Sequence, residues 1–298
     1  MPNQAQQTPA TSIDPRTSVG EVSLAVADLG RSLAFYTQGF GLALLTRDAG
    51  GATLGAGGAR LLTLTEQPGA LPWPGRYAGL YHFAVLVPTR ADLGRWLRHW
   101  LNSGFPMPGQ GDHLVSEALY LSDPDGNGIE IYCDRPRSAW QWQDGRVRMA
   151  SEPVDVAGVL AAGNAAPGQW EGLPAGTRLG HIHLQVGDIG QAAAFYHDVL
   201  GFDIVASLPS ALFVSAGGYH HHIGMNTWQS RGASAAPPGV AGLRYFTIDL
   251  ADSGVLTDVL ARLDAAGVGS IQEAGGSRIL DPWRNAIQLR LWPGKAAG

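Results

Sequence analysis

The chain has 298 residues, 45% of them hydrophobic, enough for one large core or two domains. Its formal charge is 20 − 25 = −5 with no basic run, which argues against nucleic acid or an anionic membrane as a partner. The single cysteine, Cys133, excludes an intramolecular disulfide and argues against a thiolate metal cluster.

Residues 1–18 lack the apolar core of a signal peptide and read as a disordered tail. No apolar run approaches the ~20 residues that span a bilayer, so a cytoplasmic protein is the expectation. From residue 19 an alternating strand (Val22, Leu24, Val26 against Ser23, Ala25) precedes a helix with the apolar stripe Leu29, Leu33, Tyr36. Further short strands with glycine-rich turns close a βαβββ unit over 19–66. A second unit covers 80–133, giving a first pair in sequence over 19–134. A linker follows at 135–178, with a short helix expected over Asp155 to Ala162. Units at 179–228 and 241–292 form the second pair, 179–293.

The units are copies. Glu21 to Gly41 align without a gap onto His181 to Gly201, with Asp28, Phe35, Tyr36 and Gly41 falling on Asp188, Phe195, Tyr196 and Gly201. Gly79 to Phe83 match Gly242 to Phe246, and Asp123 to Glu130 match Asp281 to Gln288. The expected fold is α+β, four βαβββ modules paired into two half-barrel domains. In such a pair, first-strand and last-strand side chains point into a cleft. The first-strand positions are Glu21, His82, His181 and Tyr245; the last-strand positions are Leu64, Glu130, one of His220 to His222, and Gln288.

Histidine and glutamate are good divalent-metal ligands, whereas tyrosine, glutamine and leucine are poor ones. Alone on an apolar strand, His82 reads more often as a core histidine. Glu130, between Ile129 and Ile131, is costly to bury unless paired or metal-bound. His183 shares a strand face with His181 and is the alternative ligand. The run His220 to His222 reads as strand, which would put His221 on the face opposite His220 and His222.

The repeat, with Asp-Pro-Asp-Gly-Asn-Gly-Ile-Glu-Ile-Tyr at 123–132, resembles the vicinal-oxygen-chelate superfamily (glyoxalase, bleomycin resistance and extradiol dioxygenase proteins). Gly111 to Pro124 and Gly218 to Asn226 are similar to the segments that carry an active-site His and Tyr, and the acid–base His, in catechol 2,3-dioxygenases. The resemblance implies an extradiol dioxygenase that cleaves a catechol-type aromatic diol with O2. It implies Fe(II), with Mn(II) the alternative, held by two His and one Glu.

Pairing module one with two would offer Glu21 beside His82 and Glu130. Pairing two with three offers His181 instead and completes the two-histidine, one-carboxylate set, so ligand chemistry favours it. His221 is then the expected acid–base residue, with Tyr120 and His113 bonding substrate oxygens, and Glu21, Tyr245 and Gln288 lie in a metal-free second cleft. Two other classes stay open: a glyoxalase-like metal-dependent isomerase or lyase using Glu21 as second carboxylate, and an aromatic-drug-binding resistance protein. A homo-oligomer is compatible with every reading, and the ring substituents of the substrate are left open.

Overall fold

Aspartate begins most of the helices. The side chains of Asp28, Asp188 and Asp252 each accept the N–H of the residue three further on, so orphan amides at each N-terminus are satisfied by an acid favoured there by the helix dipole. The computed structural model describes residues 12–166, 169–273 and 275–292. Module one is β1 (Ser18–Val26), α1 (Leu29–Ala34), β2 (Ala43–Arg47), β3 (Gly51–Ala56) and β4 (Ala59–Glu66). Module two is β5 (Gly79–Leu86), α2 (Arg90–Asn102), β6 (Gly109–Asp112), β7 (Ser116–Ser122) and β8 (Gly128–Asp134). The connecting segment carries β9 (Trp142–Gln143), β10 (Arg146–Val147) and α3 (Val156–Ala165). Module three is β11 (Arg178–Gln185), α4 (Ile189–Ala193), β12 (Asp203–Leu208), β13 (Ala211–Ser215) and β14 (Ile223–Asn226). Module four is β15 (Gly242–Leu250), α5 (Ser253–Ala265), β16 (Ser270–Glu273), β17 (Gly276–Leu280) and β18 (Ala286–Leu291).

The strands form two eight-stranded sheets, β12-β13-β14-β11-β5-β8-β7-β6 and β16-β17-β18-β15-β1-β4-β3-β2. Module two therefore pairs with three, and module one with four. In each sheet the two first strands run antiparallel at the centre, and each is flanked by the parallel last strand of its own module. Consecutive modules meet through their helices instead. Trp96 of α2 is buried and donates its indole N–H to the Phe40 carbonyl at 2.9 Å, and Arg262 of α5 reaches the carbonyls of Val199 and Leu200. The side chains between and behind the sheets, from Val22 and Leu24 to Ile287 and Leu289, form one continuous apolar cluster.

Three expectations need correction. The tail is shorter than 1–18: Ile13 is buried, and its N–H donates to the Gly201 carbonyl at 2.8 Å, so the chain is anchored well before β1. Residues 1–11 lie outside the described ones. The run His220 to His222 is not strand. Gly217 and Gly218, at φ 59° and 64°, turn the chain after β13, and β14 begins only at Ile223. The last-strand position facing the second cleft is Thr63 rather than Leu64: Thr63 sits beside Ser23 and bonds Glu21, while Leu64 is wholly in the core.

Candidate metal centre

The central strands of the two/three sheet set the site. In the β5–β11 register His82 lies opposite His183, and Ala84 opposite His181. On the other side of β5, Ala84 lies beside Glu130 of β8. Side chains two apart share a face, so His82, His181 and Glu130 converge.

Their ligand atoms all lie within 4.8 Å of one another. Nε2 of His82 and Nε2 of His181 stand 3.1 and 3.2 Å from the same Glu130 Oε2. Ligands ~2.1 Å from one ion and at right angles to each other lie ~3.0 Å apart, so this spacing fits one divalent ion. The donor chemistry fits as well. His82 Nε2 is buried and makes no hydrogen bond of good geometry, an arrangement that is costly unless something else satisfies it.

Protonation agrees. Burial lowers the His181 pKa to about 4, against the pull of Glu130, so the ring is neutral at pH 7. Burial opposes ionisation of Glu130, but the facing His181 and His82 outweigh it and hold the carboxyl well below the usual range. A neutral His181 and an ionised Glu130 are the states in which such side chains ligate metal.

Beside the three lies a cavity of about 930 Å³, lined among others by His113, Tyr120, His183 and His221. All the sequence-predicted site residues thus reach one cavity. The His221 ring packs 4.1 Å from that of His181, and burial with the neighbouring histidines pushes its pKa well below normal. His222 turns away, its Nδ1 accepting the Ala216 N–H at 3.1 Å.

Tyr120 Oη is 2.6 Å from His113 Nε2, and His113 Nδ1 is 2.7 Å from the Ala150 carbonyl. The carbonyl only accepts, so Nδ1 carries a proton; in a ring with that single proton, Nε2 accepts from Tyr120. Burial first, and then the Glu130 charge, hold the Tyr120 pKa well above its ordinary value, so it stays a phenol.

His183, the alternative ligand, lies outside the three-residue cluster. Its Nε2 accepts from the Asn226 amide at 3.0 Å. The position beside it on β14 is Gly224, where a Cβ would come within 3.0 Å of the His183 ring. Module three thus places a glycine where module two places Glu130, and no histidine of the 220–222 run takes that position.

The connecting segment, a linker by composition, contributes residues 146–151 to the cavity wall, as β12 contributes Ala206 to Leu208. The signal for it is short: apolar Val147 and Met149 alternate with Arg146 and Arg148, and Val147 is buried. Tyr81, Phe213 and Trp228 also line the cavity and carried no distinguishing mark in the sequence.

In the one/four sheet the corresponding place holds Glu21, only 2% exposed. Its Oε1 accepts from Thr63 Oγ1 at 2.6 Å, and Arg290 Nη1 lies 3.0 Å from Oε2. Arg290 also binds Asp249 through two nitrogens. A guanidinium supplies the positive charge that Glu21 requires, and Tyr245 and Gln288 add no ligand of metal-binding quality. Glu21 is therefore in a different sheet from His82 and Glu130.

Among proteins of known identity, a catechol-2,3-dioxygenase of Bacillus subtilis (strain 168) is 48% identical over 278 residues, spanning 91% of this chain and 96% of that protein. A solved structure from Bacillus subtilis subsp. subtilis str. 168 superposes with a TM-score of 0.63 at 14% identity, over 95% of this chain and 87% of the other. Glyoxalase I from Zea mays gives 0.55 at 17% identity, over 92% of each chain; both structures speak to the fold alone. The profile of the Glyoxalase/Bleomycin resistance protein/Dioxygenase superfamily matches residues 18–131 and 178–289, and the chain belongs to that superfamily.

Proposed function

We propose that this chain is an extradiol dioxygenase that opens a catechol-type aromatic diol beside its two hydroxyls, with Fe(II) held by His82, Glu130 and His181. The observation that carries the reading is the facial set itself: two histidines and one glutamate with converging ligand atoms, the pattern typical of non-haem Fe(II) oxygenases, which leaves positions free for substrate and oxygen. The 48% identity to a catechol-2,3-dioxygenase supports it. The glyoxalase reading needed Glu21 as a second carboxylate, and Glu21 is engaged by Arg290 in the other sheet.

When bound, the metal would acidify the diol and bring it together with O2. The remaining roles fall to the chain. His221, neutral and facing the cavity, accepts the diol proton that the metal does not displace, and returns it to the leaving oxygen. Tyr120, kept a phenol and donating to His113, presents its oxygen to a hydroxyl of the substrate. The walls from the connecting segment and β12 limit water around the ring. Both atoms of O2 enter the ring-opened hydroxymuconic semialdehyde-type product.

The test is anaerobic purification with Fe(II), metal analysis, and an oxygen-electrode assay on catechol with the product read by its absorbance. One iron per chain and one O2 consumed per catechol support the reading. Iron bound with no O2 uptake on any of a series of substituted catechols would overturn it.

A further inference from the structure

Of the three successive histidines before β14, His221 lines the cavity and His220 lies wholly buried beside it. The two Nδ1 atoms are 2.9 Å apart. On its other side His220 Nε2 is 2.9 Å from Oδ1 of Asp134, the last residue of β8 and so on the same strand as Glu130. The Asp134 side chain is 23% exposed, and it also accepts from Tyr219 Oη at 3.0 Å. Tyr132 Oη, 2.7 Å from Tyr219 Oη, then donates to Tyr219. Room for that hydroxyl comes from Gly180, where a Cβ would meet it at 1.7 Å.

The hydrogen bonds have one consistent direction. A carboxylate only accepts, so His220 donates from Nε2. An imidazole whose single ring proton is donated to Asp134 has a bare Nδ1. The proton between the two Nδ1 atoms therefore belongs to His221, and His221 Nε2 is bare. No hydrogen bond among the described residues occupies that nitrogen, and it is the one left for the cavity.

We propose that Asp134 and His220 are positioning residues that lock His221 in the Nδ1-protonated tautomer and hold its bare Nε2 toward the substrate. A carboxylate that orients an imidazole in this way is a recurrent device in acid–base catalysis, here extended by a second imidazole. The role of His221 in turnover rests on the dioxygenase reading; the hydrogen-bond chain does not.

Asp134→Asn gives the sharpest test. An amide can donate to His220 Nε2, which moves the His220 proton to Nδ1, turns the Nδ1–Nδ1 bond around and leaves His221 protonated on Nε2. Ring 15N shifts of the Zn(II)-loaded, 15N-histidine-labelled full chain report the tautomer directly. In the wild type His221 should show a protonated Nδ1 and a bare Nε2, and in Asp134→Asn the reverse. In the Fe(II)-loaded protein Asp134→Asn should lower kcat on catechol by ~10- to 100-fold with KM changed little. Asp134→Glu should recover part of the loss, and in a His221→Phe background Asp134→Asn should add almost nothing. Tyr219→Phe, which keeps the carboxylate, should stay within a few-fold of wild type.

A wild-type His221 protonated on Nε2 would overturn the proposal, even were Asp134→Asn not to fold. So would an Asp134→Asn protein with unaltered shifts and unaltered kcat. The predicted shifts in a protein with no dioxygenase activity would leave the positioning role standing and remove the functional reading instead.

Discussion

Tyr36 Oη donates to Asp123 Oδ2 at 2.8 Å, and the same bond recurs between Tyr196 and Asp281 at 3.0 Å. Each joins the helical turn of one module to the β-turn of the next, although the strands of those two modules lie in different sheets. The aspartates are buried, and their turns are closed by Asn127 and Asn285, whose amides bond back to the same carboxyls. Burial raises both carboxyl pKa values despite these donors. Tyr36→Phe removes a donor to a buried carboxyl and should destabilise the fold by ~1–3 kcal/mol. The urea midpoint should fall without a change in slope, and metal content should stay at wild-type level. An unshifted midpoint would mean that this bond does not help to join the modules.

Much of this arrangement was legible in the chain. The copy of Glu21 to Gly41 at His181 to Gly201 defined the modules, and the contrast between Glu21 and His181 indicated which of them meet, because only His181 completes a ligand set with His82 and Glu130. Finer placement was not legible, for reasons of register and turn chemistry. Thr63 and Leu64 are neighbours, and a one-residue slip reverses which of them faces the cleft; only the parallel pairing of Ser23 with Thr63 decides it. The histidine run looked like strand because three like residues hide any alternation. Gly217 and Gly218 turn the chain there, so that His220 lies beside His221 rather than across the sheet from it. The wall built by residues 146–151 depends on contacts distant in sequence, such as the Ala150 carbonyl with His113.

Metal content should separate the two sheets. His82→Ala, His181→Ala and Glu130→Gln each remove one of three converging donors and should leave less than a tenth of the wild-type metal after dialysis. Glu21→Gln should keep full metal, since Glu21 bonds Thr63 and Arg290 instead. Its effect should be on stability, by ~1–3 kcal/mol, because Arg290 loses one charged hydrogen-bond partner but keeps Asp249. Gln288→Ala should leave turnover nearly intact. Loss of metal from Glu21→Gln would place the ion in the wrong cleft.

His221→Phe keeps the three donors and removes the cavity-facing nitrogen. The protein should retain iron and still bind catechol, while ring opening slows by ~10²- to 10⁴-fold. Metal must be measured alongside rate, because a variant emptied of iron would identify His221 as a ligand rather than a base. Tyr120→Phe should act more weakly, lowering kcat by ~10-fold, since it removes one oxygen near the substrate and frees His113 Nε2.

Acid should destabilise the metal-free protein, and His222 allows the sign to be worked out. Burial, with His220 the next contribution, lowers its pKa from 6.5 to about 3 in the folded state. Its Nδ1 is held as an acceptor by the Ala216 N–H, an arrangement that a protonated ring cannot keep. Between pH 6.5 and about 3 the unfolded chain therefore binds a proton at His222 that the folded chain refuses. Stability from this group is full above pH 6.5 and is lost as pH falls through that window, with a slope of ~1.4 kcal/mol per pH unit. Asp123 and Asp281, whose folded pKa values are raised, act in the opposite direction, so the total slope is a difference between groups. A comparison with His222→Gln isolates the histidine. The variant should be less stable at pH 7, and its stability should fall less steeply between pH 6 and 4, by about one proton's worth of slope. Urea midpoints collected across that range, with EDTA present throughout, measure the difference. Parallel pH profiles for the two proteins would show that His222 takes up its proton as readily in the folded chain as in the unfolded one.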